Sequence, residues 1–205
     1  MIPEEITLEN FLSYKGVTKI DFSKFHSAVI IGDNGAGKSS ILDGMTYALF
    51  GVARGTSKSG DNSDRLIFTG EHYLKTDFLF SVDGIQYNVI RKRDKVKQST
   101  ELEFFKKNGD GWINISKSTI KATQELIYSV IKANYELFVS SVMIMQGKAD
   151  SFTRKDPSER KELLYDILGL NIYEKLCNLA RDKRKEVLSK IDSLKTLIKP
   201  MKESL

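Results

Sequence analysis

The sequence predicts an α/β fold in which an antiparallel β meander accompanies a phosphate-binding loop and its helix. A long helical segment follows. Up to about residue 115, polar and apolar residues alternate in steps of two, which is typical of half-buried strands. The loop "GDNGAGKS" stands between an apolar run and a helical pattern, and from Lys117 the period becomes helical. We therefore divide the chain into an N-terminal lobe at 1–150 and a helical segment at 151–205.

Composition excludes several classes of protein. The 205 residues are 40% hydrophobic and 29% charged, and no apolar run approaches the roughly 20 residues of a membrane helix. The N-terminus "MIPEEITLENF" lacks the basic-then-apolar pattern of a signal peptide. One cysteine, Cys177, allows neither an internal disulfide nor a multi-cysteine zinc site, and we expect its thiol to be buried or seam-facing. We expect a cytoplasmic protein, nucleoid-associated if bacterial, with no membrane partner.

The first elements surround the phosphate-binding loop. "EITLENF" and "VTKIDF" predict two strands, and "HSAVII" (26–31) predicts a buried parallel strand. A helix is expected from Ser39 to about Phe50, ending at Gly51. Its apolar side would carry Ile41, Leu42, Met45, Leu49 and Phe50.

Two hairpins are expected to build the meander. Residues 52–64 are rich in Gly, Ser and Asp and predict a mobile loop. "YLKTDFLFSVDGIQYNVIRKR" then predicts a hairpin with Asp83-Gly84 as its two-residue turn. "TELEFFKKNGDGWINIS" predicts a second hairpin around Asn108–Gly111.

The remaining elements are helical. "STIKATQELIYSVI" predicts a helix with Ile120, Leu126, Ile127 and Ile131 on one face, and "YELFVSSVMIMQG" predicts a helix that becomes extended. Asp156 can be an N-cap, with Pro157 as the first helical residue and Glu159 completing a capping box.

A heptad seam follows Gly169, which would end or kink the preceding helix. Apolar residues recur in steps of three and four from Leu170 to Met201, interrupted by Arg184, and predict a rod of about 45 Å. Pro200 is expected to disrupt its continuation. The rod has no visible partner helix in the sequence, which indicates an unfinished coiled coil.

The loop at 32–39 fits G-x-x-x-x-G-K-[ST] without a mismatch and has the required strand and helix context. Gly35 and Gly37 allow backbone N–H groups to surround phosphates. Lys38 would reach phosphate oxygens, Ser39 would ligate Mg²⁺, and the helix N-terminus adds positive potential. No guanine-reading N-K-x-D and no recognisable kinase lid are present, which favours ATP.

Hydrolysis additionally requires a carboxylate after an apolar strand, to hold Mg²⁺ and activate water. Asp83 follows an apolar run but lies in a predicted turn, and Asp166 lies in a predicted helix. The sequence therefore predicts a nucleotide site that is catalytically incomplete.

Four stretches together resemble the N-terminal half of an SbcC-type DNA-repair ATPase, of the SbcC/Rad-fifty family within the SMC and ABC-ATPase group. "NFLSYKG" and "NGAGKSSILDGMTYALFG" resemble the family's opening strands, P-loop and first helix. "MIMQGKADSF" resembles its Q-loop, and "DPSERKELLYDILGLNIYEKL" is similar to the segment that leads into its coiled coil.

The resemblance implies an ABC-ATPase-like head made from two sequence halves joined by a long antiparallel coiled coil. The missing Walker B and signature motifs would belong to the C-terminal half, so this chain would be a single lobe or one partner of a split head. Implied partners are that C-terminal half, a second head in an ATP-sandwiched dimer, an SbcD-type nuclease and DNA. Implied cofactors are ATP and Mg²⁺.

Site residues carried over by position fall into two groups. Gln146 would contact Mg²⁺ or the attacking water and sense the γ-phosphate, since an amide donates and accepts without adding charge. Phosphate and Mg²⁺ would be bound by Asn34, Gly35, Ala36, Gly37, Lys38, Ser39 and Ser40, with Ser13 and Lys15 approaching the nucleotide.

DNA binding is also implied, and basic side chains around the hairpins are the candidates. The alternative is a solvated hairpin rim, and we expect Trp112 and Tyr87 to be core or sheet-face aromatics. The candidates are Arg91, Lys92, Arg93, Lys95, Lys97, Lys106 and Lys107.

Two other functions stay open from the sequence. The chain could be a DNA- and nuclease-binding scaffold that does not hydrolyse its nucleotide. It could also be the ATPase lobe of a RecF-like or SMC chromosome protein, although the long heptad rod argues against the RecF-like class.

Overall fold

The computed structural model describes residues 1–54, 56, 63–141, 156–158, 161, 165 and 170–203. The chain forms two compact units, Met1–Glu136 and Leu137–Leu205. The domain boundary expected at residue 150 lies outside the described residues and stays a prediction.

The first unit contains a six-stranded antiparallel sheet in the order β2-β1-β3-β4-β5-β6. Both predicted hairpins are confirmed. Asp83 and Gly84 join β3 to β4 with left-handed φ angles of 51° and 78°, as a two-residue turn of this kind requires. The strands are β1 Ile2–Phe11, β2 Tyr14–Asp21, β3 Tyr73–Val82, β4 Ile85–Asp94, β5 Ser99–Asn108 and β6 Gly111–Asn114.

The core lies between one face of this sheet, the inner face, and two helices, α1 (Lys38–Phe50) and α2 (Ile120–Ile131). Alternating residues of β3 are buried because they point towards the helices. A row of aromatic rings crosses the inner face with neighbouring centroids 5.4–6.0 Å apart. It consists of Phe78, Phe80, Tyr87 and Phe104. Tyr87 is therefore a core aromatic, as expected.

The C-terminal end of α1 follows the predicted chemistry, but the buried side of this helix does not. Gly51 caps α1 with a φ of 70°, and the Thr119 hydroxyl caps α2 by accepting from the Ala122 N–H. Leu42, expected to be buried, is 41% exposed. The buried side instead includes Asp43, Gly44, Thr46, Tyr47 and Ala48. Because β1, β3, β4 and α2 all contact α1, most of its circumference is covered and periodicity alone cannot select one face.

The strand predicted at 26–31 is wrong. Residues 28–31 form no strand, and Val29 and Ile31 are 83% and 88% exposed. A strand needs a hydrogen-bonding neighbour, and in the described residues none lies beside this segment, since the sheet ends at β2 and β6.

The other helices are α3 (Tyr135–Ser141) and α4 (Asn171–Glu203). Pro200 does not end α4, which continues to Glu203. A proline within a helix removes one backbone hydrogen bond, and the helical conformation continues to Glu203 despite this loss. Cys177 is exposed on α4. In the described part of the chain, no helix is long and apolar enough to cross a membrane.

Before α4, Leu170 N–H donates to the Tyr165 carbonyl at 2.8 Å, the spacing of a Schellman helix end. Pro157 is helical and Asp156 is not, as the predicted cap requires. The other parts of these predictions, Glu159 and Gly169, lie outside the described residues.

Candidate nucleotide-binding site

The glycine loop has the backbone conformation that the motif predicts. Gly35 and Gly37 have φ angles of 83° and 91°, in the region that side chains disfavour. Gly37 is the N-cap of α1, and no side chain caps the helix there. The N–H groups of Lys38 and Ser39, the first two residues of α1, have no acceptor four residues earlier within the helix, so this end is suited to an anion.

Lys38 places its ammonium group across the loop. Nζ donates to the carbonyl oxygens of Gly32 and Asp33, both at 2.6 Å. Ser39, the next residue of α1, presents an exposed hydroxyl. An ammonium group, a helix N-terminus and a hydroxyl are a donor set that fits a polyphosphate with its Mg²⁺.

The turn between β1 and β2 contacts this loop. Asn10 and Leu12 have left-handed φ angles of 50° and 49°. The buried Asn10 side chain accepts from the Gly16 N–H at 2.9 Å, and its carbonyl accepts from the Phe68 N–H at 2.8 Å. These bonds fix a turn that brings Ser13 and Tyr14 to Gly37.

Tyr14 is a site residue that the sequence reasoning missed. Its hydroxyl donates to the Gly37 carbonyl at 3.1 Å, and partial burial raises the pKa of this phenol, so it stays a neutral donor. The predicted nucleotide contacts Ser13 and Lys15 are both exposed. Ser13 lies against Gly37, whereas no contact between Lys15 and the loop is described. The available signal was the position of the tyrosine in "NFLSYKG".

Two interactions hold the body of α1. A Cβ on Gly44 would lie 2.5 Å from Leu8 Cδ2, so the glycine permits close approach to β1. Buried Asp43 accepts two bonds from the Arg54 guanidinium, at 2.8 and 2.7 Å. The carboxylate is therefore paired although it faces the interior.

Arg91, a predicted DNA contact, is instead an internal anchor of α1. It is 4% exposed; Nε donates to the Ala48 carbonyl at 3.2 Å and Nη2 to Gln124 Oε1 at 2.6 Å. Gln124 in turn donates to the Leu49 carbonyl at 2.7 Å. A cation at a helix C-terminus is favourable. Burial lowers the pKa of Arg91 to about 10, which still leaves it charged at neutral pH.

The other candidate DNA contacts do not form one basic surface. Arg93 is paired with Asp64 at 2.7 Å. Lys106 is opposite Tyr87, on the side of the sheet that faces the helices. Lys92 is opposite Lys75 and Glu101 on the other side, which we call the outer face. On that face the carboxylates of Glu5, Glu9, Asp21, Asp77, Asp94, Glu101 and Glu103 outnumber the ammonium groups of Lys19, Lys75, Lys92 and Lys107.

The tips of the meander retain exposed lysines. Lys95 and Lys97 lie in the turn between β4 and β5. Lys107 lies 5.1 Å from the ring centre of Trp112, which is partly exposed. Trp112 is thus a sheet-face aromatic beside a cation, as expected.

Two parts of the catalytic prediction have different outcomes. Asp83 lies in the β3–β4 turn, so its interpretation as a turn residue is confirmed. Gln146 and Asp166 lie outside the described residues. Within the described residues, no group of three or more histidine, cysteine or acidic side chains is arranged to hold a metal.

A sequence profile described as an AAA domain matches residues 5–205. The chain belongs to the AAA domain family. This AAA domain is 29% identical to the SbcC component of the nuclease SbcCD from Deinococcus radiodurans, over 97% of this chain and 22% of the relative. It is 34% identical to the DNA double-strand break repair Rad50 ATPase of Thermoplasma volcanium, over 85% of this chain and 18% of the relative. The chain thus spans about a fifth of the length of these relatives, and the predicted resemblance is confirmed.

The fold of the AAA domain has a solved counterpart. A chain from work on ATP-driven dimerization and DNA-stimulated activation of SMC ATPases aligns with a TM-score of 0.52. The alignment covers 82% of this chain and 99% of the other, at 23% identity. This likeness confirms the P-loop α/β fold.

Proposed function

We propose that this AAA domain binds ATP and Mg²⁺ as half of a DNA-repair ATPase head that acts with an SbcD-type nuclease in processing DNA ends. One observation carries the proposal. The Lys38 ammonium group lies across a glycine loop that opens α1, where the helix N-terminus is free of side-chain caps. This arrangement favours a polyphosphate over a neutral or cationic ligand.

Each residue of the loop has a role in this proposal. Lys38 neutralises phosphate charge, and the Ser39 hydroxyl holds Mg²⁺, which supplies further charge neutralisation when bound. Gln146 senses the γ-phosphate. Backbone N–H groups and side chains that bind the phosphates come from Asn34, Gly35, Ala36, Gly37 and Ser40.

A C-terminal half of the same head would complete the site. Support comes from the exposed apolar run at 29–31, which has no pairing strand in the described residues. Exposed apolar side chains of the predicted seam on α4, including Val187, Ile191 and Leu194, are consistent with the start of a coiled coil. In the engaged state two heads would enclose ATP between them, and hydrolysis would reopen them. The isolated chain would bind ATP but hydrolyse it slowly, because it lacks the activating carboxylate.

Calorimetric titration of the chain with Mg-ATP tests the proposal. Lys38→Ala should weaken binding at least about tenfold, since a charge-assisted contact contributes about 1.5–3 kcal/mol. Lys107→Ala, which removes a partly exposed lysine near Trp112, is the matched control and should leave the Kd unchanged. Equal affinity of wild type and Lys38→Ala would refute the site. Fast ATP turnover by the isolated chain, lost in Lys38→Ala, would refute the proposal that the chain has no carboxylate to activate water.

DNA binding is the second part of the proposal and now rests on the exposed lysines at the meander tips. Phosphate contacts of this kind give non-specific, salt-dependent affinity. Lys95→Ala combined with Lys97→Ala should lower the slope of log Kd against log salt by about one per lost contact. An unchanged slope would remove this turn from the DNA surface.

A further inference from the structure

We propose that the Tyr14 hydroxyl orients the Gly37–Lys38 peptide for phosphate binding, which makes Tyr14 a positioning residue of the nucleotide site. The inference rests on the proposed ATP site. It assigns to the β1–β2 turn a task that the glycine motif itself does not contain.

Tyr14 occupies the space that a side chain at residue 37 would need. Its Cε2 and Cζ atoms lie 3.3 Å from the position of a Cβ on Gly37, and Ser13 Cβ lies 3.0 Å from it. Gly37 is buried under these two side chains. The loop is therefore held from outside by the turn as well as from within by its own bonds.

The Tyr14 hydroxyl bonds to the Gly37–Lys38 peptide group, whose carbonyl and N–H point in opposite directions. The Gly37 carbonyl accepts from Tyr14 at 3.1 Å and from the Ser40 N–H at 2.9 Å. A trans peptide is planar, so its C=O and N–H bonds point in opposite directions. Fixing the Gly37 carbonyl thus also fixes the direction of the Lys38 N–H.

The Lys38 N–H is one of the groups that a helix N-terminus offers to an anion. As the first residue of α1, Lys38 has no acceptor four residues earlier within the helix. A donor that is already aligned spends less free energy on ordering when the ligand binds. Tyr14 therefore supports phosphate affinity without touching the phosphate.

The tyrosine itself is held in place from two sides. Tyr14 is the first residue of β2 and pairs with Phe11 of β1, which is fully buried. The Phe11 ring lies 5.8 Å from the ring of Tyr47 in α1. The turn, the sheet and the phosphate-binding helix therefore form one packed group, and strained residues Asn10 and Leu12 fit a site where geometry is fixed by its surroundings.

Tyr14→Phe tests the inference because it removes a single oxygen atom. Mg-ATP affinity is measured by calorimetry, and tripolyphosphate, which lacks base and ribose, is measured by competition. Both ligands should bind about three- to tenfold more weakly, the effect expected of one hydrogen bond. Tyr73→Phe is the matched control, because it removes a hydroxyl that donates to Glu9 on the outer face. It should leave both affinities unchanged.

The outcomes separate this inference from the proposed function. If wild type binds Mg-ATP and Lys38→Ala does not, but Tyr14→Phe binds like wild type, the positioning role is wrong and the ATP site stands. If Tyr14→Phe weakens the binding of ATP but not of tripolyphosphate, Tyr14 contacts the base or ribose, and the positioning role is again wrong. Equal losses of affinity in Tyr14→Phe and Tyr73→Phe would also contradict the positioning role. The thermal midpoint of ligand-free Tyr14→Phe should stay within a few degrees of wild type, which separates positioning from unfolding.

Discussion

Burial acts in opposite directions on the pKa values of Arg91 and Asp77, which lie on neighbouring strands. Burial lowers the pKa of Arg91, yet the charge is retained because the Ala48 carbonyl of α1 and the Gln124 side chain accept its hydrogen bonds. Burial raises the pKa of Asp77, and the hydrogen bond from Asn88 offsets this only in part. Asn88 Oδ1 is buried without a hydrogen-bond partner in the described structure. Arg91 is therefore well compensated and Asp77 is not.

Asp77→Asn should stabilise the first unit at neutral pH. The raised pKa means that folded Asp77 binds a proton more readily than the unfolded chain does, so its ionisation opposes folding. This penalty is present above the folded pKa and is relieved as pH falls towards the unfolded value of about 3.9. An asparagine amide can also donate to Asn88 Oδ1. Urea unfolding at pH 7 should show a gain of about 0.5–1.5 kcal/mol.

The pH dependence provides the control for Asp77→Asn. The gain should shrink as the pH falls towards the unfolded value of about 3.9, because the raised pKa makes the folded carboxyl bind a proton more readily. Asp21→Asn should give no gain at pH 7, because bonds from Ser23 lower the pKa of Asp21 and its ionised form favours folding. A loss of stability in Asp77→Asn at pH 7 would contradict the account.

The roles of residues were predictable where the glycine-loop motif sets them. They were less predictable where contacts with residues distant in the sequence set them. Gly35, Gly37 and Lys38 have the predicted conformations and place because the loop is local in sequence. Arg91 was misassigned because it belongs to the basic run "VIRKRDKVKQ". Alternation with buried Val89 already contained the signal that it faces inward. Its acceptor on α1, the Ala48 carbonyl, is 43 residues away in the sequence, and no local pattern shows it.

At the scale of elements, the packing of α1 on β1 depends on one missing side chain. Gly44 faces Ile6 and Leu8, both fully buried. A glycine within a helix costs about 1 kcal/mol relative to alanine. The close helix–strand contact compensates for this, because it brings the helix that opens at the phosphate loop onto the sheet.

Gly44→Ala should therefore destabilise the protein despite its better helix propensity. The new Cβ would lie 2.5 Å from Leu8 Cδ2 and 3.2 Å from Ile6 Cδ1, which forces α1 or the core side chains to move. We expect a loss of about 1–3 kcal/mol in urea unfolding. Leu8→Ala alone leaves a cavity, but in the double variant the two changes should partly compensate. Additive losses in this double-mutant cycle would show that the contact does not limit packing.

The elements that were predicted correctly are those whose ends are marked by residues with strong local backbone preferences. Asp83-Gly84 and Gly51 mark a turn and a helix end by their own backbone preferences. The strand predicted for "HSAVII" was wrong because an apolar run indicates that a segment tends to be buried but does not show which strand would pair with it. The disruption expected at Pro200 was also wrong, because a proline removes only one backbone hydrogen bond and the neighbouring turns keep the helical conformation.

For the molecule as a whole, an apolar segment is exposed next to the phosphate loop. Val29 and Ile31 have exposed apolar side chains, and no strand of the described residues pairs with their backbone, a combination that promotes association between chains. The sheet shows the opposite design, with a charged outer face over a hydrophobic inner face. We therefore expect self-association of the isolated chain to involve the 28–31 segment rather than the outer face of the sheet.

Ile31→Lys should reduce concentration-dependent self-association while leaving the thermal midpoint nearly unchanged, because the side chain has little burial to lose. Sedimentation velocity without nucleotide, over a range of protein concentrations, measures the effect. Val96→Lys is the matched control, since Val96 is also highly exposed but lies in the polar β4–β5 turn. Equal effects of both substitutions would point to net charge rather than to the apolar segment.

The bonds from Lys38 to the Gly32 and Asp33 carbonyls should make the phosphate loop selective among anions. Any anion that enters competes with two acceptors that the loop supplies to its own lysine. A monovalent ion such as chloride gains little from this exchange. A polyphosphate presents several charged oxygens at once and can replace both bonds together. The loop should thus discriminate by the number of linked charges, and so ignore the simple salts that surround it.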